Sequence, residues 1–173
     1  NILPEETALE LKQNGKVIAK KFDAVSVMFT DFKGFTAYAD DLPPEKLVES
    51  VGFYFSKFDE IITKNGLEKI KTIGDAYMCA GGLPIPTDDH AIYIVSAAME
   101  IVEFVESCKH NSDFHQAQFD VRVGVNTGPV VAGVVGSKKF AYDIWGDTVN
   151  IASRMETNSE PGEINISANT YAL

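Results

Sequence analysis

The stretch LEKIKTIGDAYMCAGG, residues 67–82, decides the fold. It holds two strand-like runs, LEKIKTI and AYMCAGG, with only Gly74-Asp75 between them. That pair has the composition of a two-residue hairpin turn in which glycine takes the positive φ. Asp75 is thereby predicted at the tip of a hairpin.

Working outward, Pro43-Pro44 suit the first turn of a helix, and Leu47, Val48, Val51, Phe55, Phe58, Ile61 and Ile62 recur at helical spacing until Asn65-Gly66 closes it. Upstream, AVSVMFT at 24–30 alternates Val25, Val27 and Phe29 with Ala24, Ser26 and Met28. Both faces are apolar, which predicts a central strand ending at Asp31. Downstream, Asp88-Asp89 precede a stripe of Ala91, Val95, Ala98, Ile101, Val102 and Val105, a second long helix. FDVRVGVNTG at 119–128 alternates as a half-buried strand, and TGPVVAGVVG at 127–136 reads as its hairpin partner. Asp147 reads as the N-cap of the helix TVNIASRME, and Pro161-Gly162 as the turn into the short strand EINIS. The order is β-α-β-β-α-β: an α+β, ferredoxin-like core with an antiparallel sheet, helices on one face and additional C-terminal elements. Residues 1–21, with a short helical pattern stopped at Asn14-Gly15, form a linker segment ahead of one domain at 22–173.

Composition bounds the function. The chain has 173 residues, 45% hydrophobic, with 15 Lys+Arg against 25 Asp+Glu and a net charge of −10. It can bury the core of one domain, and its acidity argues against a nucleic-acid binder that neutralises phosphates with clustered cations. Cys79 and Cys108 are too few and too far apart for a disulfide framework or zinc knuckle, which suits a reducing, cytoplasmic setting. The longest apolar run, IYIVSAAMEIVEFV, is broken by Glu100 and Glu103, so no membrane contact is expected. The first residue is Asn1 and no signal peptide precedes the helix, which reads as a fragment whose sensor lies upstream.

Asp31 at a strand end and Asp75 at a hairpin tip can converge, and two hard oxygen ligands beside the glycine-punctuated DFKGF loop suit magnesium or manganese holding a triphosphate. Backbone N–H groups around Gly34, Phe35 and Thr36 suit its phosphates. From spacing alone, a strand-end aspartate is more often a turn or cap residue than a ligand. Asn150 and Arg154 lie four apart on one helix face, able to grip ribose and phosphate or to sit solvated with Arg154 paired to a carboxylate. Lys71 and Asp143 are open to either kind of role. His90, His110 and His115 read as surface or helix-end residues, Phe53, Tyr54, Phe55 and Phe58 as core or dimer surface, and Trp145 as packed under the last helix.

Taken together, FTDFKGFT, KIKTIGDAYM, GVNTGPVVAGVVG and YDIWGDTVNIASRME resemble, in order and spacing, the catalytic domain of the class III nucleotidyl cyclases, from about Phe22 to the end. The resemblance implies a homodimer or pseudo-dimer with shared active sites, converting a nucleoside triphosphate to its 3′,5′-cyclic monophosphate and pyrophosphate with two Mg2+ or Mn2+ ions per site. It assigns Asp31, Asp75 and the carbonyl of Phe32 to metal, Lys71 and Asp143 to the purine, Asn150 to the ribose and Arg154 to the transition state. A Lys/Asp pair matches the acceptors and amino donor of adenine, where guanine users carry Glu and Cys, so ATP is the expected substrate. Family domains continue into further strands with a lysine for the terminal phosphates, so the chain reads as C-terminally truncated relative to them. The competing readings are guanylate cyclase activity and a non-catalytic nucleotide-binding or dimerisation module.

Overall fold

The computed structural model describes residues 3–173; Asn1 and Ile2 of the linker segment lie outside it. Along the chain run α1 (Glu5–Asn14), β1 (Lys20–Lys33), α2 (Phe35–Asp41), α3 (Pro44–Lys64), β2 (Glu68–Ile73), β3 (Ala76–Gly81), α4 (His90–His110), β4 (Asp120–Val135), β5 (Ala141–Trp145), α5 (Asp147–Thr157), β6 (Ile164–Ile166) and α6 (Ala168–Tyr171). Among the described residues six strands form one sheet, ordered β2-β3-β1-β4-β5, with β6 adding in parallel beside β4 and every other pairing antiparallel. This is the α+β, ferredoxin-like arrangement. β1 lies between β3 and β4, and its run Val25–Thr30 is buried, as two apolar faces require.

Two clusters of apolar side chains sit on the two faces of the sheet. Under α3 and α4, Met28, Phe32, Tyr54, Phe58, Ile94, Ile101 and Val123 pack together, with the Phe32 ring 4.7 Å from Phe119. Each such side chain contributes about 1.5–3 kcal/mol by leaving water. On the other face Val25, Val27, Phe29, Met78, Val130 and Ile144 meet Ala152 of α5. The helix lies unusually close to the strand there. A Cβ on Gly124 of β4 would fall 1.9 Å from the Glu156 nitrogen of α5, so only glycine permits the approach. Thr148 Oγ1 donates to the Pro129 carbonyl at 2.8 Å and Asn126 Nδ2 to the Thr148 carbonyl at 3.0 Å, pinning the start of α5.

The structure departs from the sequence reading at five places. TGPVVAGVVG is not a hairpin partner of FDVRVGVNTG; both belong to the single strand β4, and its second half pairs with β5, Val131 opposite Trp145. Pro129 is tolerated because β1 bulges there: Phe22 opposes Val130 and Val25 opposes Gly128, so Asp23 and Ala24 together face the residue lacking an N–H. Asp147 is the first residue of α5 and Gly146 its N-cap, and the carboxylate favours the positive helix end without capping it. The first strand does not end at Asp31, and DFKGF is not a loop: Asp31–Lys33 continue β1 and Phe35 opens the short helix α2, with Gly34 between them. Trp145 is 41% exposed instead of packed under a helix. His90 starts α4 but is buried, with Nδ1 2.7 Å from Ser26 Oγ. Among the described residues no helix is long and apolar enough to cross a membrane.

Candidate active site

The β2–β3 hairpin turns in two residues, and Gly74 takes φ 59 at the first central position. That is the type II′ pattern, and it leaves Asp75 at the tip. Because Thr30 pairs with Tyr77 across β1 and β3, Asp31 lies beside that tip. The two carboxyls meet: burial, a hydrogen bond with Asp31 and the Asp31 charge push Asp75 up to about 6, against the opposing pull of N–H groups from Asp75 itself and Phe32. Two acids forced together, with oxygen donors only, fit a hard divalent cation, whose charge would relieve their repulsion. No third His, Cys, Asp or Glu joins them in a metal-sized group among the described residues, which leaves positions for backbone, water and phosphate oxygens. The Phe32 ring is buried in the core, so only its backbone is available to a ligand. Phe35 likewise turns its ring onto Phe119, at 5.8 Å, and the N–H groups of Phe35 and Thr36 precede the α2 hydrogen-bond ladder that Gly34 caps.

Lys71 and Asp143 also come together. Lys71 Nζ lies 2.7 Å from Asp143 Oδ2, and Asp143 Oδ1 accepts the Ile144 N–H at 2.9 Å. β2 and β5 are opposite edges of the sheet, so this ion pair means that the sheet curls until its edges meet. A partly exposed pair of this kind stabilises the fold by at most about 1 kcal/mol. Asn150 and Arg154, one turn apart on α5, are both exposed, and among the described residues the Arg154 guanidinium has no carboxylate partner. No hydrogen bond or ion pair joins the Asp31/Asp75 pair, the Lys71/Asp143 pair and the Asn150/Arg154 face within the described chain.

One residue of this region escaped the sequence reading. Arg122 stands directly opposite Asp31 across β1 and β4. Its Nη2 lies 3.0 Å from Asp31 Oδ2 and 3.1 Å from Glu156 Oε1 on α5. Burial and the Asp31 charge push the Glu156 carboxyl up, and Arg122 opposes the shift. In the sequence Arg122 was one polar residue of an alternating strand, and only the register between β1 and β4 would have singled it out.

Residues 17–173 match the family described as Adenylate and Guanylate cyclase catalytic domain. The chain belongs to that family. This class III nucleotidyl cyclase domain is 42% identical over 172 residues to an adenylate cyclase of Mycobacterium bovis, covering 99% of the chain and 38% of that protein. It is 39% identical over 173 residues to a receptor-type guanylate cyclase of Caenorhabditis briggsae, covering 99% of the chain and 14% of that protein. Among solved structures it superposes, at TM-score 0.83 and 37% identity, on the catalytic core of a rhodopsin-guanylyl cyclase with converted specificity in complex with ATPαS, covering 89% of this chain and 82% of that one. The cyclase domain thus spans well under half the length of these two curated relatives, which include both adenylate and guanylate cyclases.

Proposed function

We propose that this domain is an adenylate cyclase that converts ATP to 3′,5′-cyclic AMP and pyrophosphate at two composite sites in a homodimer. The Lys71–Asp143 pair, 2.7 Å apart, carries the choice of base. Lysine donates to a ring nitrogen of adenine and aspartate accepts from its exocyclic amino group, whereas guanine presents the opposite pattern at that edge. Asp31, Asp75 and the Phe32 carbonyl would hold the Mg2+ or Mn2+ ions, and the amides of Gly34, Phe35 and Thr36 would meet phosphate oxygens. Divalent cations bound there would acidify the ribose 3′-hydroxyl and neutralise the triphosphate. Asn150 orients the ribose, and Arg154, without a carboxylate partner among the described residues, meets the negative charge that develops on the α-phosphoryl oxygens.

That no hydrogen bond or ion pair joins these groups among the described residues of one chain supports a site completed by a second copy. So does the outer surface of the β4–β5 ribbon, where Val131, Val135 and Trp145 are exposed although large and apolar, as is Phe140 in the turn before β5. A two-fold dimer turns one such patch onto its equivalent and generates two equal sites.

The test of substrate is product formation from ATP and from GTP with Mn2+, resolved by chromatography. Cyclic AMP is expected in excess, and cyclic GMP in excess would overturn the base assignment. The test of shared sites mixes Asp31→Ala with Arg154→Ala chains. Each homodimer lacks one essential group per site, while in the heterodimer one site carries both lesions and the other none. Activity should return on mixing; an inactive mixture with exchange shown by differently tagged chains would rule the shared site out.

A further inference from the structure

Asp31 and Arg122 face each other across neighbouring strands, and Glu156 reaches the same guanidinium from the helix above. A single nitrogen, Arg122 Nη2, is shared between the two carboxylates at 3.0 and 3.1 Å. The approach is fixed by backbone, since Gly124 brings the Glu156 nitrogen itself against β4. Glu156 is 7% exposed, and among the described residues both Arg122 Nε and Glu156 Oε1 are buried without a hydrogen-bond partner, so Glu156 meets Arg122 through charge at 3.1 Å and not through a directed hydrogen bond. Burying such an array costs desolvation that an apolar pair of equal volume would avoid, so stability alone does not account for it.

We propose that Glu156 is a positioning residue for the acidic pair: by drawing Arg122 charge to itself it sets how much negative charge Asp31 presents to a divalent cation. The inference rests on the reading that Asp31 and Asp75 hold that cation. Without Glu156 the whole guanidinium charge falls on Asp31, which then competes poorly for metal. Without Arg122 the carboxylate is uncompensated and attracts metal more strongly. Glu156 therefore matters more while Arg122 is present than after its removal, when only the direct attraction between its own carboxylate and the cation is left, a dependence that a purely structural role would not produce. Glu156 also lies on α5, the helix that presents Asn150 and Arg154, so the bridge ties the acidic pair to that helix.

The experiment is a Mn2+ titration of the intact protein without nucleotide, followed by the electron paramagnetic resonance signal of free Mn2+. Glu156→Gln should weaken binding about three- to tenfold, Arg122→Gln should tighten it, and the change from Arg122→Gln to the double variant should be clearly smaller than that three- to tenfold. Asp31→Asn serves as the reference for loss of the ligand. If Asp31→Asn binds Mn2+ as the unaltered protein does, the metal reading itself fails and the inference with it. If Asp31→Asn loses binding but Glu156→Gln does not, or if Glu156→Gln costs the same affinity with and without Arg122, the inference alone is overturned. Circular dichroism checks folding. Should Glu156→Gln not fold, Glu156→Asp, which withdraws the carboxylate from Arg122, carries the same prediction at smaller size, and an unchanged affinity in Arg122→Gln overturns the proposal by itself.

Discussion

Asp31 and Asp75 sit on the central strand and the hairpin beside it, where Arg122 pairs with Asp31 but burial and the Asp31 charge leave Asp75 disfavoured as an anion; Lys71 and Asp143 sit on the two edge strands with their charges already paired with each other. One pair gains by receiving a cation. The other must be opened before it can grip a base. The contrast separates two kinds of substitution: at the acidic pair function and stability should move in opposite directions, and at the basic–acidic pair they should barely be linked.

The largest effect is expected from Asp75→Asn. Removing one carboxylate should cut cyclic-nucleotide formation by at least about a thousandfold, since metal and triphosphate lose a principal anchor. In metal-free buffer at neutral pH the same change should raise Tm, because a carboxyl pushed up to about 6 is destabilised in the folded state when ionised. A lowered Tm with retained turnover would contradict the contrast outright. Arg154→Ala, on the exposed face of α5, should lower kcat by about a hundred- to a thousandfold with little change in KM or Tm, as for loss of a donor used only in the transition state. An unchanged kcat would remove Arg154 from the reaction.

The joint change Lys71→Glu with Asp143→Cys sharpens the comparison at its other end. It should reduce kcat/KM for ATP by about ten- to a hundredfold and raise that for GTP, while Tm stays within a few degrees. Unaltered selectivity would show that the edge pair is structural. The smallest effect concerns the buried polar group at His90. Burial holds its imidazole below the ordinary value, partly offset by Asp88. The unfolded chain therefore takes up more protons as pH falls through the ordinary histidine range, so this contribution to stability is present above that range and lost below it. His90→Gln should flatten the fall in Tm between pH 7 and about 5. A slope that stays the same would assign it to other groups.

The sequence made the elements legible wherever a local period or turn carried them. The Gly74-Asp75 hairpin, the helix from Pro44 and the central strand through Val27 all depend on neighbours within a few residues. β4 was misread because Gly128-Pro129 is a turn signal locally, and the bulge that accommodates the proline belongs to another strand a hundred residues away in sequence. The acidic pair and the Lys71–Asp143 pair were visible as residue types in family order; strand register places Asp31 beside the hairpin tip, and Lys71 Nζ lies 2.7 Å from Asp143. Arg122 and Glu156 were invisible for the opposite reason: an alternating arginine and a helical glutamate are ordinary solvent-facing residues until strand register and helix packing bring them together. Trp145 was missed for a related reason, since bulk and the neighbouring Gly146 suggest packing while alternation along β5 puts it on the face opposite the buried Tyr142 and Ile144.

The contact at Gly124 also has a mechanical meaning. With the α5 backbone seated where no side chain would fit, and its first turn tied to Pro129 and Asn126, helix and strand behave as one stiff beam. Arg154 and Asn150 are carried on that beam at a fixed station along it. What remains free is rotation about their own side-chain bonds, which at exposed positions takes picoseconds to nanoseconds. Fine adjustment to a substrate is thus fast and local, while coarse placement is rigid and was completed when the chain folded.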